Sequence, residues 1–188
     1  NKISVVYHGF DQFSQGKGLE IETFVESKPF LLYVGQRSGY KNFSGFLESV
    51  ATSRKLMRDF NVVAFGGGGF SLNELKLINS LGFSDGQVRQ KSGNDKLLGN
   101  YYSSASAFVY PSVYEGFGIP PLEAMAHNCP VVSSNTSSMP EVIGDAAEFF
   151  NPLETDDIRQ SIESVVYSNE KTMLLRRLGV AQANKFSW

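Results

Sequence analysis

The hydrophobic and polar positions of the chain alternate between two patterns. Short apolar runs such as FLLYV and NVVAF indicate buried strands, and segments whose apolar residues recur at helical spacing follow them. The runs predict strands at residues 3–7, 30–34, 61–65, 87–89, 107–110 and 130–134. The helical patterns cover residues 43–59, 71–81, 95–105, 121–127, 155–169 and 171–186. This alternation predicts an α/β fold, a doubly wound parallel sheet with helices on both faces.

Length and composition narrow the class of protein. A chain of 188 residues with 41% hydrophobic content is interpreted as a single domain over residues 1–188. The 17 basic and 19 acidic residues leave a net charge of −2, which argues against a nucleic-acid partner. A lone cysteine, Cys129, favours a reducing, intracellular compartment and excludes a thiolate metal cluster. No apolar run is long enough for a membrane span. Because a strand pattern begins at once after Asn1, we expect a piece of a longer chain.

In an open parallel sheet, ligands bind beyond the carboxyl ends of the strands, so the loops there carry the candidate chemistry. After FLLYV, Arg37 and Lys41 lie four residues apart at a predicted helix start, a pattern that fits a diphosphate clamp. A solvated basic turn is the alternative interpretation. After NVVAF, the glycines at residues 66–69 lack the lysine of a phosphate-binding P-loop. We interpret them as a tight turn, with close approach of the backbone to a ligand as the alternative. Ser71 and Glu74 predict a capping box at the next helix.

The stretch YEGFGIPPLEAMA places Glu115 and Glu123 on either side of a glycine-containing loop that leads into a helix. Backbone amides of residues 116–119, near the positive end of that helix, suit a negative charge or sugar hydroxyls. The two acids are interpreted either as ligands for the two ends of an elongated molecule or as a turn residue and a helix-dipole charge. A hydrolase pair is not indicated, because nothing sets their separation. The hydroxyl-rich residues 133–138 either bind carbohydrate oxygens or cap their own loop.

Several motifs, in order along the chain, carry a family resemblance. VGQRSGYKN, AFVYPSVYEGFGIPPLEAMA, PVVSSNTSSMPEVIGDAAEFFNP and the closing FSW resemble the nucleotide-sugar-binding C-terminal domain of retaining glycosyltransferases of family 4. This resemblance covers nearly the whole chain and implies a Rossmann-like domain, one half of the GT-B fold. We expect the N-terminal acceptor domain of that fold to be absent from this chain. Asn128 stands where the family often has glycine, and asparagine also suits a left-handed helix end.

The resemblance also implies roles for individual residues. Arg37 and Lys41 match the basic pair that holds the donor diphosphate, and Glu115 matches the acid that contacts the donor sugar; these three are the expected catalytic residues. Glu123 matches the acid that binds the ribose hydroxyls. The remaining donor-binding residues are expected to be Phe117, Gly118 and Ile119 on the loop, with Val88 and its neighbour Arg89 near the base.

The implied activity is transfer of a hexose, mannose or glucose, from a GDP or UDP donor to an acceptor hydroxyl with retention, in polysaccharide or glycoconjugate biosynthesis. No metal and no further cofactor is expected. The expected partners are the nucleotide sugar and the N-terminal acceptor domain, and the isolated domain is expected to bind donor without catalysing transfer. A cytoplasmic location is expected, with peripheral attachment to the inner membrane face left open. The alternative function is a non-catalytic module that binds a nucleotide or glycan.

Overall fold

The computed structural model describes residues 28–186. The strands are β1 (Phe30–Val34), β2 (Asn61–Phe65), β3 (Val88–Lys91), β4 (Ala107–Tyr110), β5 (Val131–Ser134) and β6 (Ala147–Phe150). The helices are α1 (Phe43–Ala51), α2 (Arg54–Asp59), α3 (Leu72–Ser80), α4 (Asp95–Ser104), α5 (Ile119–Ala126), α6 (Met139–Ile143), α7 (Thr155–Val166) and α8 (Asn169–Ala183). Short 3-10 turns lie at Gly39–Lys41 and Gly144–Ala146.

Within the described residues, the strands form one six-stranded sheet in the order β3-β2-β1-β4-β5-β6. All the pairings are parallel, and β1 pairs with β2 on one side and with β4 on the other. The direction of winding therefore reverses between β1 and β4, which is where doubly wound sheets open a crevice for a ligand. The predicted fold class is confirmed.

The core lies on both faces of the sheet. Leu31 and Leu32 are adjacent in β1 and fully buried, yet they belong to opposite hydrophobic clusters. One cluster contains residues of α4, α5 and α6, and the other contains residues of α1, α2 and α7. Because successive side chains of a strand point to opposite faces, the continuous apolar runs of the sequence are the signature of strands covered on both sides.

Most predicted elements are confirmed to within two or three residues, and the differences have local causes. The single helical pattern at residues 43–59 forms two helices, because the Ser53 hydroxyl accepts a hydrogen bond from the Leu56 amide at 3.2 Å and starts α2. Strand β6 was missed, since it is short and carries Glu148, which pairs with Lys171 at 2.7 Å. Asn128 has a φ of 58°, which confirms the left-handed turn. The predicted strand at residues 3–7 and the last two residues of FSW lie outside the described residues.

Candidate functional site

The crevice at the switch point is formed by the loop after β1 (residues 35–42) and the loop after β4 (residues 111–118). A hydrogen bond of 2.8 Å from the Val113 amide to the Tyr40 carbonyl ties the two loops together. Both loops leave the carboxyl edge of the sheet, as the sequence predicts for a ligand site. Five of the predicted site residues therefore lie on these two neighbouring loops: Arg37, Lys41, Glu115, Phe117 and Gly118.

The helices at this edge differ in how their first amides are satisfied. Within residues 28–186, the helices after β2 and β3 are capped by the side chains of Ser71 and Asn94, whereas α1 and α5, after β1 and β4, have no side-chain cap. Uncapped amides at a helix N-terminus attract an anion. Helices α6 and α7, after β5 and β6, also lack a side-chain cap, so uncapped N-termini are not confined to the switch point. The N-termini of α1 and α5 are the two that follow the strands on either side of it.

Lys41 and Glu115 are paired directly across the crevice. Lys41 Nζ donates to Glu115 Oε1 at 2.6 Å, and the two side chains are 22% and 11% exposed. The hydroxyls of Ser137 and Ser138 donate to the Glu115 backbone carbonyl, the second at 3.2 Å. These two hydroxyls of the serine-rich loop hold the β4 loop in place, which agrees with a self-capping loop. Lys41 and Glu115 thus present a cation and a carboxylate side by side between the two loops.

Glu123 lies in α5 in a more apolar setting. Its Oε2 accepts a hydrogen bond of 3.1 Å from the hydroxyl of Tyr102, which is fully buried. Burial raises the pKa of the Glu123 carboxyl above its usual range, although the Tyr102 hydrogen bond opposes this. Helix α5 begins two residues earlier than predicted, at Ile119, with Gly118 as its N-cap at a φ of 88°. A half-buried carboxylate with a raised pKa is typical of a ligand-binding position.

Arg37 has a different environment from Lys41. Its Nε donates to Glu74 Oε1 at 2.6 Å, and Nη1 donates to the Gly66 carbonyl at 2.9 Å. Nη2 donates to the carbonyls of Gly68 and Gly69, both at 2.9 Å. The side chain is only 4% exposed. The glycine loop (residues 66–69) is therefore a cradle of carbonyls around a guanidinium.

The enclosure of Arg37 by Glu74 and the glycine loop was not predicted from the sequence. The capping box of Ser71 and Glu74 was predicted and is confirmed, but the pairing of Glu74 with Arg37 was not predicted. The signal was a glycine run on the loop after β2 followed by an acid in the first turn of α3, close to the loop after β1 that carries the arginine. Only the strand order brings these loops together.

The remaining predicted residues lie in different places. Phe117 packs edge-on against Phe186, with ring centroids 5.9 Å apart, and Ile119 is exposed at the start of α5. Val88 was predicted to lie near a nucleotide base, but the structure does not bring it to the crevice. It is the first residue of β3, so it lies at the amino edge of the sheet, and its side chain packs in the core. The carboxyl end of β3 is Lys91, which pairs with Phe65 of β2.

The described part of the chain offers neither a metal site nor a membrane-spanning helix. Residues 28–186 contain no cluster of three or more His, Cys, Asp or Glu side chains that could hold a metal ion. None of the helices there is both long and apolar enough to cross a membrane.

Comparison with known proteins identifies the family. The family model of glycosyl transferases group 1 matches residues 17–179. The chain belongs to this family. It is 35% identical over 162 residues to O-antigen chain mannosyltransferase B of Escherichia coli, covering 85% of this chain and 42% of that one. It is 30% identical to O-antigen chain mannosyltransferase RfbU of Salmonella typhimurium, covering 87% of this chain and 44% of that one.

A solved structure supports the glycosyl transferase fold. The sucrose-phosphate synthase of Thermosynechococcus elongatus superposes with a TM-score of 0.74 at 21% identity, covering 86% of this chain and 42% of that chain. At that identity the likeness concerns the fold alone. The glycosyl transferase chain described here spans less than half the length of these three proteins.

Proposed function

We propose that this chain is the donor-binding half of a retaining mannosyltransferase that acts in polysaccharide biosynthesis. The donor is a nucleoside diphosphate mannose, and the acceptor is a sugar hydroxyl presented by an N-terminal domain of the whole protein. The observation that carries the proposal is the Lys41–Glu115 pair between two uncapped helix N-termini at the switch point. Family membership and the names of the two mannosyltransferase relatives support the choice of sugar.

The proposed roles follow from charge and position. The diphosphate lies against Lys41 and the uncapped amides of α5, and Arg37 is the second cation of the clamp. As the bond to the sugar breaks, negative charge grows on the departing diphosphate, so these groups stabilise the transition state more strongly than the bound donor. Reaction on one face of the sugar, assisted by the leaving phosphate, accounts for retention. No metal ion is needed where cations and amides offset the charge.

Glu115 and Glu123 bind the two remaining parts of the donor, the transferred sugar and the ribose. Glu115, beside Lys41, accepts hydrogen bonds from hydroxyls of the transferred sugar. Glu123, farther along α5, accepts from the ribose hydroxyls, which would compensate the carboxylate for its burial. The base lies toward the carboxyl end of β3, beyond Lys91. The whole protein works in the cytoplasm, at the inner face of the membrane, with attachment through the N-terminal domain.

Calorimetric titration with GDP and UDP tests the cation. In the full chain, Lys41→Met should weaken binding of the preferred nucleoside diphosphate by roughly 10- to 100-fold, the value of one hydrogen bond to a charged group. Binding of the corresponding nucleoside, which has no phosphate, should be unchanged. Lys76, an exposed lysine of α3, supplies the matched control Lys76→Met, which should bind both ligands as the wild type does. Equal losses in the two variants would refute the diphosphate site.

The carboxylates are tested separately. Glu123→Ala should weaken nucleoside and nucleoside diphosphate to the same extent, because both carry the ribose. Glu115→Ala should strengthen nucleoside diphosphate binding, because it frees Lys41 from its ion pair, and should reduce transfer from the nucleotide sugar. If both variants lost nucleoside diphosphate binding equally, the division between ribose and sugar would be wrong. Binding without any transfer by the whole protein would favour the alternative of a non-catalytic module.

A further inference from the structure

Arg37 is held by its surroundings as completely as a structural arginine. The contacts to Glu74 and to the glycine carbonyls use Nε and both terminal nitrogens, so little donor capacity remains for a ligand. The guanidinium also stacks on Phe70, with its central carbon 4.9 Å from the ring centroid. A diphosphate that uses Arg37 must therefore replace contacts that already exist.

Glu74 is itself held firmly in place. Its Oε2 accepts a hydrogen bond of 2.7 Å from the Ser71 amide, and its own amide donates to Ser71 Oγ at 3.3 Å, which completes the capping box of α3. Burial alone would raise the pKa of Glu74, but the hydrogen bonds from Arg37 and Ser71 outweigh it and hold the pKa below its usual range. One ionised carboxylate thus starts a helix with one oxygen and binds a site arginine with the other.

The charges of the site cancel in this arrangement. Arg37 is paired with Glu74 and Lys41 with Glu115, both at 2.6 Å, so two cations face two carboxylates. A nucleoside diphosphate brings at least two negative charges to the same place, because its terminal phosphate is largely ionised at pH 7. It gains little from two neutral pairs, and its binding is favoured only when a carboxylate gives up its cation.

We propose that Glu74 is a positioning residue that competes with the donor diphosphate for Arg37. In the ligand-free state Glu74 and the glycine carbonyls hold the guanidinium beside the glycine loop, and the diphosphate takes over its Nε and Nη2 groups on binding. Glu74 stays with α3, because Ser71 holds its other oxygen. This inference rests on the proposed donor site, and it adds a residue that tunes the affinity of that site.

The experiment compares the dissociation constants of GDP and UDP for the full chain with those of Glu74→Gln. Glutamine keeps the shape and a neutral acceptor but removes the competing charge, so the preferred nucleoside diphosphate should bind roughly five- to tenfold more tightly. The matching nucleoside should bind as before. Ser71→Ala removes the side-chain cap of α3 and leaves the Arg37–Glu74 ion pair. It should lower the melting temperature about as much as Glu74→Gln does, without changing diphosphate affinity by more than about twofold. Should Glu74→Gln fail to fold, Glu74→Asp, which is too short to span Arg37 and Ser71, replaces it with the same sign expected.

A double-mutant cycle distinguishes competition for Arg37 from a general electrostatic effect of removing the Glu74 charge. In an Arg37→Ala background, Glu74→Gln should no longer increase affinity, because the residue for which Glu74 competes is gone. Unchanged or weaker binding by Glu74→Gln in the wild-type background overturns the inference, and so does an increase that persists without Arg37. If the wild-type chain binds neither GDP nor UDP, the proposed donor site itself is wrong. If the wild type binds and Glu74→Gln binds equally well, only the role of Glu74 is wrong.

Discussion

The cradle around Arg37 makes a sharp prediction about two neighbouring glycines. Gly67 and Gly68 have φ values of 67° and 72°, so an alanine at either position must adopt the left-handed conformation. A Cβ on Gly67 would lie 2.7 Å from Arg37 Nη1 and 2.8 Å from the Gly35 carbonyl oxygen, whereas a Cβ on Gly68 would meet nothing within 4 Å. The two substitutions share their backbone strain and differ only in the clash.

The magnitudes follow from these contacts. Left-handed backbone costs a residue with a Cβ about 1–2 kcal/mol, and this is the whole expected cost of Gly68→Ala. Gly67→Ala must also displace Arg37 or the backbone at Gly35. Because the Arg37 contacts are hydrogen bonds from a charged group, losing one adds about 1.5–3 kcal/mol. We therefore expect Gly67→Ala to destabilise the fold by about 3–4 kcal/mol.

Urea unfolding of both variants, with a shared m-value, measures the difference directly. In thermal unfolding, the difference of about 2 kcal/mol between the two variants corresponds to a difference in melting temperature of roughly 4–8 °C for a chain of this size. Equal destabilisation by the two substitutions would refute the cradle. A larger loss for Gly68→Ala would show that the loop, and not the guanidinium, determines the packing there.

Three further outcomes are expected. Gly118→Ala should destabilise the chain by about 2 kcal/mol in urea unfolding, because Gly118 has a φ of 88° and a Cβ there would lie 2.4 Å from Met139 Cε. Gly116→Ala should cost less than about 1 kcal/mol, because a Cβ on Gly116 would meet nothing within 4 Å. Because burial raises the pKa of Glu123, the free energy of unfolding falls as pH rises through that pKa. Glu123→Gln should therefore be more stable than the wild type at pH 7. The difference in the free energy of unfolding, measured by urea unfolding across pH, should close toward about pH 4. Burial raises the pKa of Cys129 to about 12, so a thiol reagent at about pH 8 should label it only at the rate of unfolding.

The elements of the fold could be predicted because the signals are local. Runs such as NVVAF and the pairing of Ser71 with Glu74 act within a few residues, and tertiary packing did not override them. The break before α2 was missed because the apolar residues continue in phase across it, while a single hydroxyl on Ser53 starts the second helix. Here a cap outweighs periodicity.

The candidate site was predictable only in part, for reasons of topology. Lys41 and Glu115 could be placed on neighbouring strand ends, but their direct pairing could not be read from residues 74 positions apart. Arg37 and Glu74 meet because β1 and β2 are adjacent in the sheet. The expectation that Val88 lies near the base comes from the family resemblance alone. The structure places Val88 at the amino end of β3, and its role stays a prediction.

The distribution of charge at the site relates its structure to its proposed action. The Lys41–Glu115 pair is satisfied without a ligand, whereas Glu123 is buried where its ionised form is disfavoured. The proposed ligand would account for a carboxylate in this setting, because its ribose hydroxyls would add hydrogen bonds to the one from Tyr102. In the proposed complex, the diphosphate would separate paired charges and the ribose would donate hydrogen bonds to a buried carboxylate, so different interactions would recognise the two parts of the ligand. That difference is why the diphosphate affinity should respond to the internal acids, while the nucleoside affinity should respond to Glu123.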